Sequence, residues 1–159
     1  MMMPLVLTTH PPGMAMLQGS SVQTLRGTIG YLPPELIALG RKVNQWHTVD
    51  FTIDTWGLGL ITYTLLFGAH PWLRADDTDA HFTTFASGQH VSLYPWCLCP
   101  PALRQALEAL LCVDQRRRGS VDAFAEYVHG GWCQDVAIIR QRYDALNKRL
   151  SVATQSTFV

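Results

Sequence analysis

The side chains best suited to chemistry in this sequence are four cysteines, which could bind a metal ion, form disulfides or act as nucleophiles. The four are Cys97, Cys99, Cys112 and Cys133. They form no C-x-x-C pair, and no histidine stands at the spacing of a metal ligand. We therefore expect free thiols, no metal site and a reducing compartment, which predicts a cytoplasmic chain.

The net charge and the composition limit the classes of partner that this chain is expected to bind. The 12 basic and 12 acidic residues give a formal net charge of zero, and 48% of the 159 residues are hydrophobic. This neutral, globular composition gives no support for nucleic acid or an acidic membrane surface as a partner, so we expect neither. The N-terminal stretch MMMPLVLTTHPPG lacks the basic start and long apolar run of a signal peptide, and its prolines interrupt it too early for a membrane helix.

The elements that must position any site surround one apolar stretch, TIDTWGLGLITYTLLFG, from Thr52 to Gly68. Asp54 and Thr55 are expected to cap its N-terminus with side-chain oxygens, and Gly68 to end it in a left-handed turn before Pro71. Its apolar residues point in all directions around the axis, so the helix is predicted to be buried on all sides. At about 14 residues it is too short to span a bilayer, which needs about 20. We predict the central helix of a globular core.

The rest of the pattern is also helical. Short or amphipathic helices are predicted from Glu35, over His81–Phe85, around Leu103–Leu111 and after Ser120, which is a good N-terminal cap. Strand signals are nearly absent: the stretch 41–48 reads as a polar connection and 87–99 as irregular. The predicted fold class is therefore mainly α, in a single domain.

The last predicted helix runs from Asp135 to about Leu150. Its apolar residues stand at alternating spacings of three and four, which is typical of a coiled-coil seam, and they are Val136, Ile139, Tyr143, Leu146 and Leu150. Two heptads are short for a coiled coil, so we expect the helix to pack on the domain. A partner helix is the alternative.

Four sequence motifs follow one another along the chain, and together they resemble the motifs of one protein family. They are GTIGYLPPE, DTWGLGLITYTLLFGAHPW, ALLCVDQRRRGS and HGGW. They resemble the patterns GTxxYxxPE, DxWSxGxxxYxLLxGxxPF, LLxxDPxxRxS and HPWF of the eukaryotic protein kinase family, serine/threonine type. The resemblance covers about Gly27 to Trp132 and implies a kinase-like C-terminal lobe, a helical subdomain without the N-terminal lobe. It divides the chain into an activation-segment-like loop or disordered leader at 1–26, the lobe at 27–132, and a helix and tail at 133–159.

The resemblance also implies roles for single residues. Glu35 ends the PPE motif and should pair with Arg118, because a carboxylate and a guanidinium form a bidentate bond that can pin distant segments. Asp54 occupies the position whose carboxylate holds the backbone of the catalytic loop in the family. Trp56 and Gly59 complete that motif, and the GLG of residues 57–59 is expected to serve packing.

The segment before the first helix resembles the family's substrate loop. Gly27, Thr28 and Tyr31 match its GTxxY pattern, and Thr28 matches a threonine typical of serine/threonine-directed members. Thr24 stands where many such kinases carry an activating phosphate, which makes it a candidate phosphosite. An ordinary loop threonine is the alternative, and Arg26 is the basic residue nearby that could order the phosphate.

The catalytic parts of the family are absent from this sequence. Phosphoryl transfer there needs a glycine-rich loop, a strand lysine paired with a glutamate, an HRD-type aspartate and a DFG aspartate. No HRD motif occurs in the sequence, and both lysines follow Glu35. The stretch most similar to the DFG region is LTTHPPGMA, in which Pro11 stands in place of the metal-binding aspartate. We expect no catalytic, cofactor-binding or metal-binding residue in this chain, although the family uses ATP and Mg²⁺.

Two functions follow. The first is a kinase-like lobe without independent catalysis, truncated or degenerate in the manner of a pseudokinase, that works as a binding or scaffold module. The second is a fragment of an active serine/threonine kinase whose remaining parts lie elsewhere. In both, the central helix lacks the segments that cover it in the family. We expect a protein partner, the missing lobe or self-association to cover it, unless the N-terminal stretch and the last helix fold back over it.

Overall fold

The computed structural model describes residues 15–18, 28–40 and 46–156. Six α-helices dominate these residues, so the mainly α fold class is confirmed. The helices are α1 (Pro34–Gly40), α2 (Thr52–Phe67), α3 (Ala80–Ala86), α4 (Pro101–Leu110), α5 (Val121–Gly130) and α6 (Trp132–Ser156). Short 3-10 turns lie at Ile29–Tyr31, Gln89–Ser92, Trp96–Leu98 and Gln115–Arg117, so part of the stretch expected to be irregular is ordered into turns.

Two short strands form an antiparallel pair that the sequence pattern did not predict. Strand β1 (Ala15–Gln18) pairs with β2 (Trp46–Val49), with Ala15 opposite Val49 and Gln18 opposite Trp46. The expectation of a polar connection over 41–48 is therefore wrong from Trp46 onward. Four residues are the lower limit for recognising a strand by alternation, and this pairing joins segments distant in sequence.

Helix α2 runs through the core, as predicted. Trp56, Leu60 and Tyr63 are buried in one cluster with the apolar face of α4. The close approach of the two segments requires Gly59, because a Cβ added there would lie 2.8 Å from Leu111 Cδ2. The packing role expected for this glycine is therefore visible in the geometry.

The two ends of α2 differ in how well the sequence predicted them. Gly68 ends the helix in the left-handed conformation, with φ of 72°, as predicted. At the N-terminus the expected cap is wrong, because Asp50, rather than Asp54, accepts the Thr52 backbone N–H at 2.9 Å. Thr55 instead donates its hydroxyl to the Phe51 carbonyl. The helix begins two residues before Asp54 and places that residue in its first turn.

The prediction that α2 is buried on all sides is also wrong. Leu65 is 79% exposed and Ile61 is 47% exposed, while the opposite side of the helix is fully buried. The physical reason is local: the buried residues of α2 pack in one cluster with α3, α4 and the turn at Trp96, and Ile61 and Leu65 do not belong to that cluster.

Side-chain caps fix the starts of two further helices. Asp79 accepts the backbone N–H groups of His81 and Phe82 at the start of α3. Ser120 Oγ accepts the Ala123 N–H at 3.1 Å at the start of α5, as predicted. Helix α4 has the expected amphipathic pattern, with its buried stripe formed by Leu103, Leu107 and Leu110.

Helix α6 is longer than predicted and packs on the domain through its first half. The buried Asp135 carboxylate accepts the Leu103 N–H at 3.1 Å and the Tyr127 hydroxyl at 2.8 Å. Arg142 donates to the Leu98 carbonyl at 3.1 Å. Beyond these anchors Tyr143 is 45% exposed, so the expected packing holds for the first half of the helix. Among the described helices, none combines the length and apolarity that crossing a membrane requires.

Candidate functional site

Arg118 is the centre of a buried polar cluster that joins three segments of the chain. Its Nη1 and Nη2 donate to the two Glu35 carboxylate oxygens at 2.8 and 2.9 Å. The same guanidinium donates to the Thr52 carbonyl at the start of α2 and to the Cys112 carbonyl after α4. The two side chains expected to pair are thus in bidentate contact, which fixes α1 against α2 and α4.

Trp56 forms the apolar wall of this cluster. The Arg118 guanidinium carbon lies 4.9 Å from the centre of the Trp56 ring, within the range of a cation–π contact. Trp56 is completely buried and packs against Trp72 at a ring-centre distance of 5.7 Å. The position assigned to Trp56 by resemblance is therefore a structural one, beneath the ion pair.

Asp50 belongs to the same cluster and was not predicted from the sequence. Its carboxylate accepts the Thr52 backbone N–H and the Gln115 side-chain amide at 3.2 Å, and it also bonds the Thr52 hydroxyl. Burial raises the pKa of Asp50, but these hydrogen bonds and the nearby Arg118 outweigh it, so the pKa lies below its ordinary value. An aspartate two residues before a threonine at a helix start is a capping signal that could have identified it.

Asp54 lies exposed in the first turn of α2. No hydrogen bond or ion pair joins its carboxylate to another residue in the described ranges. By resemblance this is the carboxylate that holds a catalytic-loop backbone in the family. In the described part of this chain it is an acceptor that faces solvent.

Asp54 is part of a stripe along the uncovered side of α2. We define the α2 stripe as Phe51, Asp54, Leu58, Ile61 and Leu65. The spacings of three and four place these residues on one helix face. Phe51 is 70% exposed and Leu65 is 79% exposed, while Leu58 is half-buried. The stripe is an apolar surface with one acidic group at its N-terminal end.

The substrate-loop-like segment lies against the residues that follow α2. Thr28 is exposed, and its carbonyl accepts the Tyr31 N–H at 2.9 Å, which forms a tight turn. The Tyr31 ring meets the His70 ring edge-on at 4.3 Å. Gly27 and Thr24 lie outside the described residues, so the candidate phosphosite stays a prediction.

The cysteines do not assemble a reactive site in the structure. All four are free, and Cys99 is buried. Burial, the largest influence, raises the pKa of the Cys99 thiol to about 12, which keeps it protonated at neutral pH. Within the described ranges, no group of three His, Cys, Asp or Glu residues is placed to hold a metal ion.

Comparison with known proteins now decides the family. Residues 13–132 match the protein kinase domain model. The chain belongs to the protein kinase family. It is 34% identical over 112 residues to mouse serine/threonine-protein kinase SBK1, a match that covers 67% of this chain and 26% of the relative.

Two further relatives agree with this assignment. The zebrafish serine/threonine-protein kinase SBK1 is 28% identical over 127 residues, covering 77% of this chain and 32% of the relative. The Aurora kinase of Schizosaccharomyces pombe is 34% identical over 99 residues, covering 62% of this chain and 25% of the relative. The chain thus spans about a third or less of the length of these curated relatives.

The family implies ATP and Mg²⁺, and the described residues do not fit them. Mg²⁺ in such sites is held by carboxylates together with substrate phosphates, and the cluster around Arg118 is occupied by its own internal bonds. Asp50 and Glu35 are taken up by Thr52, Gln115 and Arg118. Asp54 is exposed, and within the described ranges it belongs to no group of three His, Cys, Asp or Glu residues that could hold a metal ion.

Proposed function

We propose that this chain is a kinase-family C-terminal lobe that works as a binding module and does not transfer phosphate by itself. One observation carries the proposal: the α2 stripe presents exposed apolar side chains and an exposed carboxylate along the central helix. Ile61 and Leu65 are 47% and 79% exposed. An apolar face on a core helix is characteristic of an interaction surface.

The chemistry of the stripe defines what fits on it. Ile61 and Leu65 gain free energy when another apolar surface covers them, about 1.5–3 kcal/mol for each side chain fully buried. The Asp54 carboxylate accepts hydrogen bonds, so the docking segment supplies N–H groups or a cation at that end. A protein segment with apolar side chains and a donor end meets both requirements, and a kinase segment that is absent from this sequence is one example.

The proposed lack of catalysis rests on the sequence and on how the acidic groups are used. The motifs that position nucleotide and metal in the family do not occur in the sequence. Electrostatic stabilisation of the transferred phosphoryl group supplies most of the rate in such reactions, so the loss of these groups removes the activity. Compartment and phosphosite stay proposals as well: a cytoplasmic chain, from its free thiols, and phosphate on Thr24.

A hydrophobic dye tests the exposed stripe directly. At low protein concentration the purified chain is expected to enhance the fluorescence of the dye, and Leu65→Glu is expected to reduce that signal by placing a charge in the stripe. Leu73→Glu is the matched control, because Leu73 is 80% exposed but lies outside α2. A dye-silent wild-type chain, or equal loss in both variants, would count against the open stripe.

The second candidate function is a fragment of an active serine/threonine kinase. The observation in its favour is that the relatives are named as such kinases while the chain spans only 26% of mouse SBK1. The deciding experiment is to sequence the transcript upstream of Met1. An in-frame glycine-rich loop and HRD motif would establish this candidate, whereas an in-frame stop codon before Met1 would favour the binding module.

A further inference from the structure

We propose that the second half of α6 docks an acidic amphipathic helix of another protein. This surface lies outside the kinase-family match, which ends at residue 132, and it belongs to a different helix from the α2 stripe. The inference therefore goes beyond the proposed function and does not depend on it. The observation that carries it is an exposed, narrow apolar stripe that is flanked by arginines on one continuous helix.

Helix α6 carries apolar side chains beyond the part that packs on the domain. We define the distal α6 stripe as Tyr143, Leu146 and Leu150. Tyr143 and Leu150 are 45% and 57% exposed, and Leu146 is half-buried. The stripe continues the side of the helix on which Ile139 is buried in the core, because the residues follow one another at spacings of four and three. A stripe of this width fits the face of one partner helix.

The first half of α6 holds the distal α6 stripe in a fixed direction. Helix α6 is continuous from Trp132 to Ser156. Near its start the buried Asp135 carboxylate accepts the Leu103 N–H at 3.1 Å and the Tyr127 hydroxyl at 2.8 Å. The stripe is thus presented on a helix that is already formed and anchored, which lowers the entropy cost of binding a partner.

The positions beside the distal α6 stripe are basic or neutral. On one side of a coiled-coil seam the flanking residues directly follow Ile139 and Leu146. On the other side they directly precede Tyr143 and Leu150. All four flanking residues are exposed: Arg140, Asn147, Arg142 and Arg149. Asp144, the one acidic residue between positions 140 and 150, is not among them. The stripe therefore complements a helix that carries carboxylates at its own flanking positions.

The same flanking residues disfavour a second copy of this chain as the occupant. Two α6 helices packed through their distal stripes would both bring arginines to the edges of the contact, and like charges across an interface are unfavourable. A lipid surface also fits less well, because a helix that lies on a membrane buries a broader apolar face than a coiled-coil seam. A partner helix with leucines in its seam and glutamates beside it satisfies both the apolar and the basic positions.

The test measures binding of two labelled synthetic peptides to the purified full chain by fluorescence anisotropy. Both peptides are about three heptads long, with leucine and isoleucine in the seam, and they differ only in having glutamate or lysine at the flanking positions. The glutamate peptide is expected to bind at least about tenfold more tightly than the lysine peptide. This preference is expected to shrink as the salt concentration rises, because the flanking charges are exposed.

A charge reversal on α6 is expected to exchange the two peptides. In Arg140→Glu/Arg149→Glu the glutamate peptide should bind at least about fivefold more weakly and the lysine peptide more tightly than in wild type. Arg116→Glu/Arg117→Glu is the matched control, because it changes the net charge equally at exposed positions outside α6. This control and Leu65→Glu, which alters the α2 stripe, are both expected to leave peptide binding unchanged.

Several outcomes would overturn the inference. They are equal binding of the two peptides, a control double variant that loses as much binding as the α6 double variant, and no binding of the glutamate peptide at chain concentrations up to about 1 mM. A dimer of the chain that Tyr143→Ala abolishes would instead make a second copy the occupant. Binding to phosphatidylserine vesicles in place of the glutamate peptide would make it a lipid surface. The proposed function fails separately, because its dye signal depends on Leu65.

Discussion

Arg118 and Glu35, separated by 83 positions in sequence, form a bidentate ion pair with Nη1–Oε1 at 2.8 Å and Nη2–Oε2 at 2.9 Å. The Arg118 side chain is fully buried and that of Glu35 is 10% exposed. A pair in this setting fixes the geometry of the lobe, because removal of either partner leaves a buried charge without compensation. The contribution of this pair to stability can be measured as a change in the free energy of unfolding when Arg118 is replaced.

Arg118→Met is expected to lower the free energy of unfolding by about 3–5 kcal/mol, the range for breaking a buried ion pair from one side. The loss includes the contact with Trp56 and the bonds to two backbone carbonyls. Arg117→Met is the matched control: Arg117 is exposed, and we expect a change within about 0.5 kcal/mol. Chemical denaturation of the three proteins makes the comparison, and equal stabilities for Arg118→Met and wild type would contradict this role.

Two glycines of α2 form a second matched pair. A Cβ at Gly59 would lie 2.8 Å from Leu111 Cδ2 and 3.0 Å from Leu110 Cβ, whereas at Gly57 nothing lies within 4 Å. Gly59→Ala is expected to destabilise the chain by about 1–3 kcal/mol through overpacking. Gly57→Ala is expected to stabilise it by about 0.5–1 kcal/mol through helix propensity. Thermal denaturation measures both, and a melting temperature raised by both variants would contradict the close approach.

Asp79 makes the stability dependent on pH. Its carboxylate accepts the backbone N–H groups of Leu73, Arg74, His81 and Phe82. Burial raises the pKa of Asp79, but these four bonds outweigh it, so the pKa lies below the ordinary 3.8. Because the folded-state pKa is lowered, the stabilisation is present above the unfolded-state pKa and is lost as the pH falls through the folded-state pKa.

The wild-type free energy of unfolding is therefore expected to fall as the pH decreases below about 4. Asp79→Ala is expected to cost about 1–2 kcal/mol at neutral pH and to flatten this dependence. Asp144→Ala, at an exposed position of α6, is the control and should leave the profile unchanged. Denaturation at a series of pH values tests this, and a variant profile parallel to that of wild type would refute the assignment.

Helix-capping residues and amphipathic patterns predicted much of this fold, because each of these signals involves residues that lie close together in the sequence. Gly68 caps the end of α2 and Ser120 caps the start of α5 through hydrogen bonds to residues close by in the sequence. The amphipathic stripe of α4 is likewise visible in the sequence. The kinase motifs brought Glu35 and Arg118 together, which no local pattern could have done.

The features that were not predicted from the sequence depend on contacts between segments that are distant in sequence. A helix that is apolar on every side predicts burial on every side, yet Leu65 is 79% exposed and lies outside the core cluster that buries Trp56 and Leu60. The β1–β2 pair was missed because its strands have four residues each and pair across a long separation. Asp50 was missed because the helix start was placed at Asp54, two residues after the first helical residue.

The most direct test of the central proposal is phosphoryl transfer by the pure chain. The chain is incubated with Mg²⁺ and γ-labelled ATP, with casein as a general serine/threonine substrate, and label is measured over time. We predict no label on the chain or on casein above a blank without the chain, and no ATP-dependent shift in melting temperature. Label that grows with time and with the concentration of the pure chain would contradict the proposal.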